Sequence, residues 1–477
     1  MTASDVRKGF TCYHDSGPLY PSRWVTYCES GHIDDFDYRA FVHGATRCES
    51  RLVLETGASL AETYVVCMCG KRSSMADAYN SKANRGFCNG YEIWSGKNNE
   101  CSKRTKISMR SASDVYFGAV RSAITIEPES DPLVAKTFEE LSKAVPAVQE
   151  DRAKARQRLK DTKGFEGVAE EDVDRVLDSF YKARSEPGTY RDRRYQEFHA
   201  LARDCGSAQE DLFVEQVTVE DLSTRGITGI FAVRKLREVR ALIGFKRGGM
   251  PEDPAFDDTD EVAEPLASLG QPGFFPAYEN RGEGIFITFA PDKLKTWLAQ
   301  PETQRRVDAF EGAEKRWRTS SGKSGPVKRR GYYVLAHSFA HMLIQQISLV
   351  CGYSQSSLRE RIYASDDESA DPTVGVLVYT ASSDADGSLG GLVAQATDGN
   401  IGEIVDAAFE SLQLCSSDPI CALQNPVGFR KMNAAACHSC LVLPETCCER
   451  NNYFLDRVVV VPQTVHDHTS QLCFFKS

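Results

Sequence analysis

The sequence predicts a mixed α/β chain of several domains: a β-rich N-terminal unit stapled by zinc, a helical middle, and an α/β C-terminal domain with its own zinc site. Three observations predict it. The 16 cysteines are clustered, with seven in residues 12–101, seven in 415–473 and only Cys205 and Cys351 between. Residues 131–205 carry apolar positions three and four apart, the period of an amphipathic helix. The runs at 284–289 (GIFITF) and 375–380 (GVLVYT) are continuous apolar stretches of strand length. These place the domains at 1–130, 131–210 and 211–477.

A chain of 477 residues is long enough for two to four domains and a sizeable core. Its net charge of −10 argues against a protein that coats nucleic acid, so any DNA contact should be local or supplied by a partner. Residues 1–20 contain no apolar run of the signal-peptide kind, and no run of 18 apolar residues occurs. Residues 333–350 come nearest, but two His and two Gln mark them as a buried helix. The expectation is a cytoplasmic chain with no membrane contact. In that compartment disulfides are rare, and clustered cysteines are better read as metal ligands.

In the N-terminal unit, a β-prone run ends in Cys28-Glu29-Ser30-Gly31-His32, and His43 and Cys48 follow. Taken in sequence order, Cys28, His32, His43 and Cys48 form a Cys-His-His-Cys set for one Zn²⁺, with either histidine open to a plain core role. Gly31 lets the chain fold back toward the metal. A second run, residues 63–66, delivers Cys67-Met68-Cys69-Gly70, and Cys88 and Cys101 supply two more sulfurs. Cys67, Cys69, Cys88 and Cys101 make an all-cysteine set.

The middle opens with Asp131-Pro132, a helix start, and alternating charge over 149–163 marks a solvated face. Residues 233–247 are basic and read as a solvated face or a phosphate-contacting one. Residues 312–330 gather cations around an aromatic. Arg316, Trp317, Arg318, Lys328, Arg329 and Arg330 could hold single-stranded DNA by charge and stacking, or form a mobile basic loop. Gly322-Lys323-Ser324 resembles the tail of a P-loop, but position 317 is Trp where the motif needs Gly, which excludes it. His337 and His341 stand four apart on one helix face without the H-E-x-x-H pattern, and read first as core histidines. Asp384 and Asp386, in a Gly-rich turn after a strand, read as helix caps or as a carboxylate pair.

Near the C-terminus, Cys437 and Cys440 form a C-x2-C knuckle, with Cys415 and Cys421 upstream and Cys447 and Cys448 downstream. Two thiolates at that spacing bind one tetrahedral Zn²⁺, and a second pair closes the site.

Several stretches together resemble a known family. HSFAHMLI, GYSQSSLRERIY, GVLVYT, DADGSLGGL and AACHSCLVLPETCCERNNYFLDR are similar to the zinc-binding domain of MrfA-type helicases. The front end, from YCESGHIDDF through the C-x-C-G and SDVYF, is similar to the DrmB family of the DISARM anti-phage system. The resemblance implies a non-catalytic subunit that partners a DrmA-like helicase and reaches DNA through the complex. It carries zinc ligation onto Cys421, Cys437, Cys440 and Cys448. The Cys421–Cys437 interval is longer than in helicase-fused domains, which leaves Cys415 as a rival to Cys421; Cys447 is a rival to the adjacent Cys448, which is preferred because it directly precedes the Glu449-Arg450-Asn451 run of the family pattern. Two readings compete with this one. One is a metal-dependent nuclease or hydrolase built from His337, His341, Asp384 and Asp386. The other is a stand-alone single-stranded DNA-binding protein.

Overall fold

The computed structural model describes all residues except 1–9, 12–16, 29, 80–85, 93–95, 113–114, 127–131, 186–189, 209, 219–221, 248–263, 266–274, 321–326, 328–329, 366–370, 381–390, 428–431, 464–470 and 476–477. The fold is mixed α/β, as the sequence predicts. It divides into two compact units: Met1–Arg121 with Ala241–Glu252 and Thr259–Ala277, and Ser122–Arg240 with Asp253–Asp258 and Tyr278–Ser477. This differs from the three-part division expected from the sequence. The helical stretch after residue 131 groups with the C-terminal region. Ala241–Glu252 and Thr259–Ala277 group with the first unit, and Leu242 N donates to Pro276 O between them.

In the first unit, β1 (Trp24–Tyr27) pairs on one side with β2 (Ile33–Asp35). A short helix, α1 (Tyr38–His43), follows, capped by Asp37, whose carboxylate accepts from Ala40 N. A second sheet, β3 (Leu52–Glu55), β4 (Tyr64–Cys67) and β5 (Arg72–Ser74), is antiparallel throughout. β6 (Lys106–Met109) returns to the other side of β1, placing Lys106 opposite Tyr27. In β4, Val65 and Cys67 are buried and their neighbours half-buried, the alternation of a strand with one face on a core. Trp24, Phe36, Val65, Met75 and Ile107 fill that core. It is small, so cross-links of some kind must carry much of its stability.

The second unit begins with helices α2 (Pro132–Ser142), α3 (Arg152–Lys160) and α4 (Glu170–Ser185), which close a core of their own around Val134, Leu159, Val176 and Phe180. α5 (Tyr190–Leu201) follows. The main sheet runs in the order β7 (Phe213–Val217), β8 (Ile227–Lys246), β9 (Ala277–Phe289), β11 (Val374–Thr380) and β10 (Leu358–Ala364). β11 is buried at every position, with Val374, Val376 and Val378 in one core and Leu377 and Tyr379 in another. A strand covered on both faces needs a continuous apolar run, and GVLVYT supplies it.

Helices α6 (Pro291–Leu298) and α7 (Pro301–Ser320) lead into α8 (Gly331–Cys351). α8 is long and apolar enough to span a membrane, yet it is buried within the unit against β10, β11 and a later helix, α10 (Ile401–Leu412). Gly352, at φ +72°, ends it with a left-handed cap. α9 (Gly391–Thr397) precedes α10.

Inside the sheet's second core, Arg361 and Glu197 match one another. The Arg361 guanidinium grips both oxygens of Glu197, at 2.7 and 2.8 Å, and also donates to Ser122 Oγ and O at 2.7 and 3.0 Å. Glu197 accepts in addition from Ile124 N and Tyr363 OH.

Candidate metal centres

Among the described residues, four groups of Cys, His and Glu bring four ligand atoms within 4.8 Å of one another. The first unites Cys28, His32, Cys88 and Cys101, and the second His43, Cys48, Cys67 and Cys69. All eight residues are the ones singled out in the N-terminal sequence, but the grouping by sequence order is corrected: each expected set exchanges two ligands with the other. The reason is strand pairing. β6 lies against β1, which returns Cys101 to within 3.9 Å of Cys28 (Sγ to Sγ). β3 lies against β4 with Leu52 opposite Cys67, which puts Cys48 Sγ 3.8 Å from Cys67 Sγ.

Local turns shape each half-site. Gly31, at φ +89°, closes a turn in which Cys28 N donates to His32 O, and it sets His32 Nδ1 3.4 Å from Cys28 Sγ. Gly70, at φ +96°, does the same after Cys67, its N–H donating to Cys67 O. α1 delivers His43 from its last turn. The backbone N–H of Ser50 lowers the Cys48 thiol to about 7, favouring the thiolate that binds metal.

The third group is Cys415, Cys421, Cys437 and Cys440. Sulfurs lie 3.4 Å apart for Cys415–Cys437, and 3.7 Å for both Cys421–Cys440 and Cys437–Cys440. A disulfide needs about 2.05 Å. Four sulfurs at zinc bond lengths of about 2.3 Å sit about 3.8 Å apart around a tetrahedron. The donor set therefore fits Zn²⁺. The hydrogen bond from Cys421 draws Cys440 down to about 6 while Cys421 is pushed up, so the pair holds one proton where a metal would replace it. Cys415 and Cys421 both belong here, and Cys448 does not, which corrects the carried-over set. Asp418 ties the loop together, accepting from Cys415 N, Ala422 N and, at 2.6 Å, the buried Arg457.

The fourth group is His337, His341, Glu360 and Cys448, all buried. His337 Nε2 is 3.0 Å from Glu360 Oε1 and 3.1 Å from Cys448 Sγ, and His341 Nε2 is 3.4 Å from Glu360 Oε2. Burial pushes the His337 imidazole below its usual value against the pull of Glu360. Cys447, the rival to Cys448, is taken up elsewhere, its thiol donating to Gln355 O at 2.9 Å. Glu360 had no signal beyond being one acidic residue in the strand sequence RERIY. Asp384 and Asp386 lie outside the described residues.

The basic residues around Trp317 have partners inside the protein. Arg318 and Arg330 are buried and both bond Glu314, which corrects their reading as DNA contacts. Arg316 donates to Val427 O, and Trp317 packs against the main core. Lys328 and Arg329 lie outside the described residues. In the basic stretch of β8, Arg234 and Arg237 pair with Glu215 and with Asp211 and Glu279. Burial pushes the Glu314 carboxyl up, but Arg330 and Arg318 outweigh it and hold the carboxyl below the usual range. The stabilisation is thus full above the unfolded value near about 4.3 and is lost as pH falls through the depressed folded one. Wild-type protein should lose stability on acidification below about pH 4.3 more steeply than Glu314→Gln, as read by urea melts at stepped pH.

Comparison with known proteins decides the family. The chain is 31% identical to the DISARM protein DrmB of Bacillus paralicheniformis across 481 residues, covering 96% of this chain and 84% of that protein. The chain belongs to the DrmB family. A model of the MrfA Zn-binding domain matches residues 339–441, and so takes in all four sulfurs of the Cys421 group. A domain of unknown function, DUF8724, matches residues 2–117, the part of this DrmB-family chain that holds both N-terminal groups.

Proposed function

We propose that this chain is a non-catalytic, zinc-binding subunit of a DISARM defence complex, working in the cytoplasm, that partners a DrmA-like helicase and helps it engage foreign DNA. The observation that carries the reading is the end-to-end match to a DISARM DrmB, together with a Cys421 group whose four sulfurs leave no position on a metal for substrate. A metal held by four protein ligands contributes folding energy and shape rather than chemistry. Internal ion pairs at Arg318, Arg330, Arg234 and Arg237 favour DNA contact through a partner over a DNA surface of the chain's own. His337 and His341 are fully buried, which argues against an open hydrolytic site.

The test is co-expression of the tagged chain with the helicase product of the same gene cluster, followed by DNA-binding assays with each protein alone and with both. Co-purification, with DNA affinity raised at least ten-fold by the pair over this chain alone, is the expected result. No association with the helicase overturns the partnership. Tight, steeply salt-dependent binding by the isolated chain favours a stand-alone DNA-binding protein. Plasmid cleavage by the isolated chain, lost in His337→Gln, favours the nuclease.

A further inference from the structure

We propose that His337, His341, Glu360 and Cys448 form a fourth metal site, a closed structural Zn²⁺ centre separate from the four-cysteine site of the Zn-binding domain. The matched domain spans 339–441, which leaves two of these ligands, His337 and Cys448, outside it.

The geometry of this group is that of a cation site. His341 Nδ1 is 2.7 Å from the Leu441 carbonyl oxygen, so it must carry the proton and donate it. In the neutral ring that leaves Nε2 as a bare lone pair, and Nε2 faces Glu360 Oε2 at 3.4 Å. Two acceptors in that position repel, and both atoms are buried without a hydrogen-bond partner. His337 Nε2 sits 3.0 Å from Glu360 Oε1 and 3.1 Å from Cys448 Sγ, yet one N–H can satisfy only one of them well. A single ion between the four atoms resolves the conflicts at His341 Nε2, His337 Nε2 and Glu360, leaving only His337 Nδ1 without a partner. Bond lengths of about 2.0–2.3 Å put tetrahedral N, O and S ligands about 3.3–3.8 Å apart, close to the separations seen.

The surroundings are those of a metal site. A backbone carbonyl fixes the His341 tautomer through its outer nitrogen, the usual support for a ligating imidazole. The loop after Cys448 wraps its sulfur: Arg450 N and Asn452 N donate to Sγ at 3.3 and 3.1 Å, and Asn451 and Asn452 take positive φ to do so. Such N–H groups stabilise a thiolate. Glu360 Oε1 accepts from Glu449 N at 3.2 Å. One carboxylate, one thiolate and a divalent ion sum to zero charge, which makes complete burial tolerable. Two imidazoles, a carboxylate and a thiolate suit Zn²⁺ among the common divalent metals. The ion would tie α8 and β10 to the loop after residue 441.

Crystals of the full chain, grown from protein purified with Zn²⁺ and measured on both sides of the zinc absorption edge, test this directly. An anomalous peak about 2.0–2.3 Å from His337 Nε2, His341 Nε2, a Glu360 oxygen and Cys448 Sγ is expected. Peaks at the cysteine groups with none here overturn the proposal and leave the zinc-subunit reading standing. Peaks nowhere overturn both. In solution, Cys448→Ala and Glu360→Gln should each lower bound zinc by one ion per chain, and unchanged content in folded variants overturns the site. Where a variant fails to fold, the wild-type anomalous map decides.

Discussion

Cys440→Ser should cost the protein one zinc ion and the order of residues 412–457. Cys440 sits between Cys421 and Cys437 at 3.7 Å from each, so its loss opens the third centre from the middle. Structural zinc sites in small modules contribute about 10–16 kcal/mol of apparent binding energy at pH 7. That is comparable to the whole stability of an ordinary domain, about 5–15 kcal/mol. The segment contains no strand and no α-helix after α10 among the described residues; beyond the sulfurs it is held by Asp418 to Arg457, by Arg306 to Asp456, and by the burial of Leu441, Leu443 and Leu455 in the main core. Metal analysis and limited proteolysis read the outcome. Zinc reduced by one with new cleavage between 412 and 457 is expected. Full zinc content, or an unchanged protease pattern, removes this centre from the account.

Glu197→Ala should destabilise the second unit by about 3–5 kcal/mol, the usual cost of leaving one buried charge without its partner. Arg361 has nowhere to take its guanidinium: it is 2% exposed, beneath a sheet covered on both sides. Ile124 N and Tyr363 OH lose their acceptor in the same step. Replacing both members, Glu197→Leu with Arg361→Met, should recover most of the loss, since an apolar pair of similar volume needs no desolvation. Arg152→Ala, which breaks an exposed pair with Asp178, should move stability by no more than about 1 kcal/mol. Chemical melts of the three variants against wild type decide this. A Glu197→Ala effect no larger than that of Arg152→Ala would sink the argument.

The candidate ligands were largely legible in the sequence, and their partnerships only in part. Cysteines cluster because only a few side chains can hold zinc, and that is visible in one dimension. Which cysteines meet depends on strand register. Cys101 joins Cys28 because β6 pairs with β1, and Cys48 joins Cys67 because β3 pairs with β4. Sequence order pointed instead to neighbours along the chain. Cys448 was misplaced for a related reason: the knuckle at Cys437 suggested a nearby ligand, whereas the loop carries Cys448 across to α8. Glu360 is a single carboxylate on a buried strand, and nothing local separates it from Arg359 or Arg361 beside it. β11 was readable because burial on both faces leaves an unbroken apolar signature, and α8 because most of its length is apolar and buried. The basic residues near Trp317 misled because charge in a sequence does not reveal that Glu314 faces Arg318 and Arg330.

The two N-terminal centres are nested along the chain, with ligands 43–69 enclosed between Cys28 and His32 on one side and Cys88 and Cys101 on the other. Nesting imposes an order of assembly. During synthesis at about 5–20 residues per second, Cys69 leaves the ribosome about 2–6 s before Cys101, so the inner ligand set is complete while the outer one still lacks a sulfur. Closing the inner set first also removes its loop from the span the outer set must bridge, and a shorter effective loop costs less entropy to close. The inner centre thereby acts as a clasp that prepares the outer one. The pairing of β6 with β1, which brings Cys101 to Cys28, then delivers the last sulfur of the outer set.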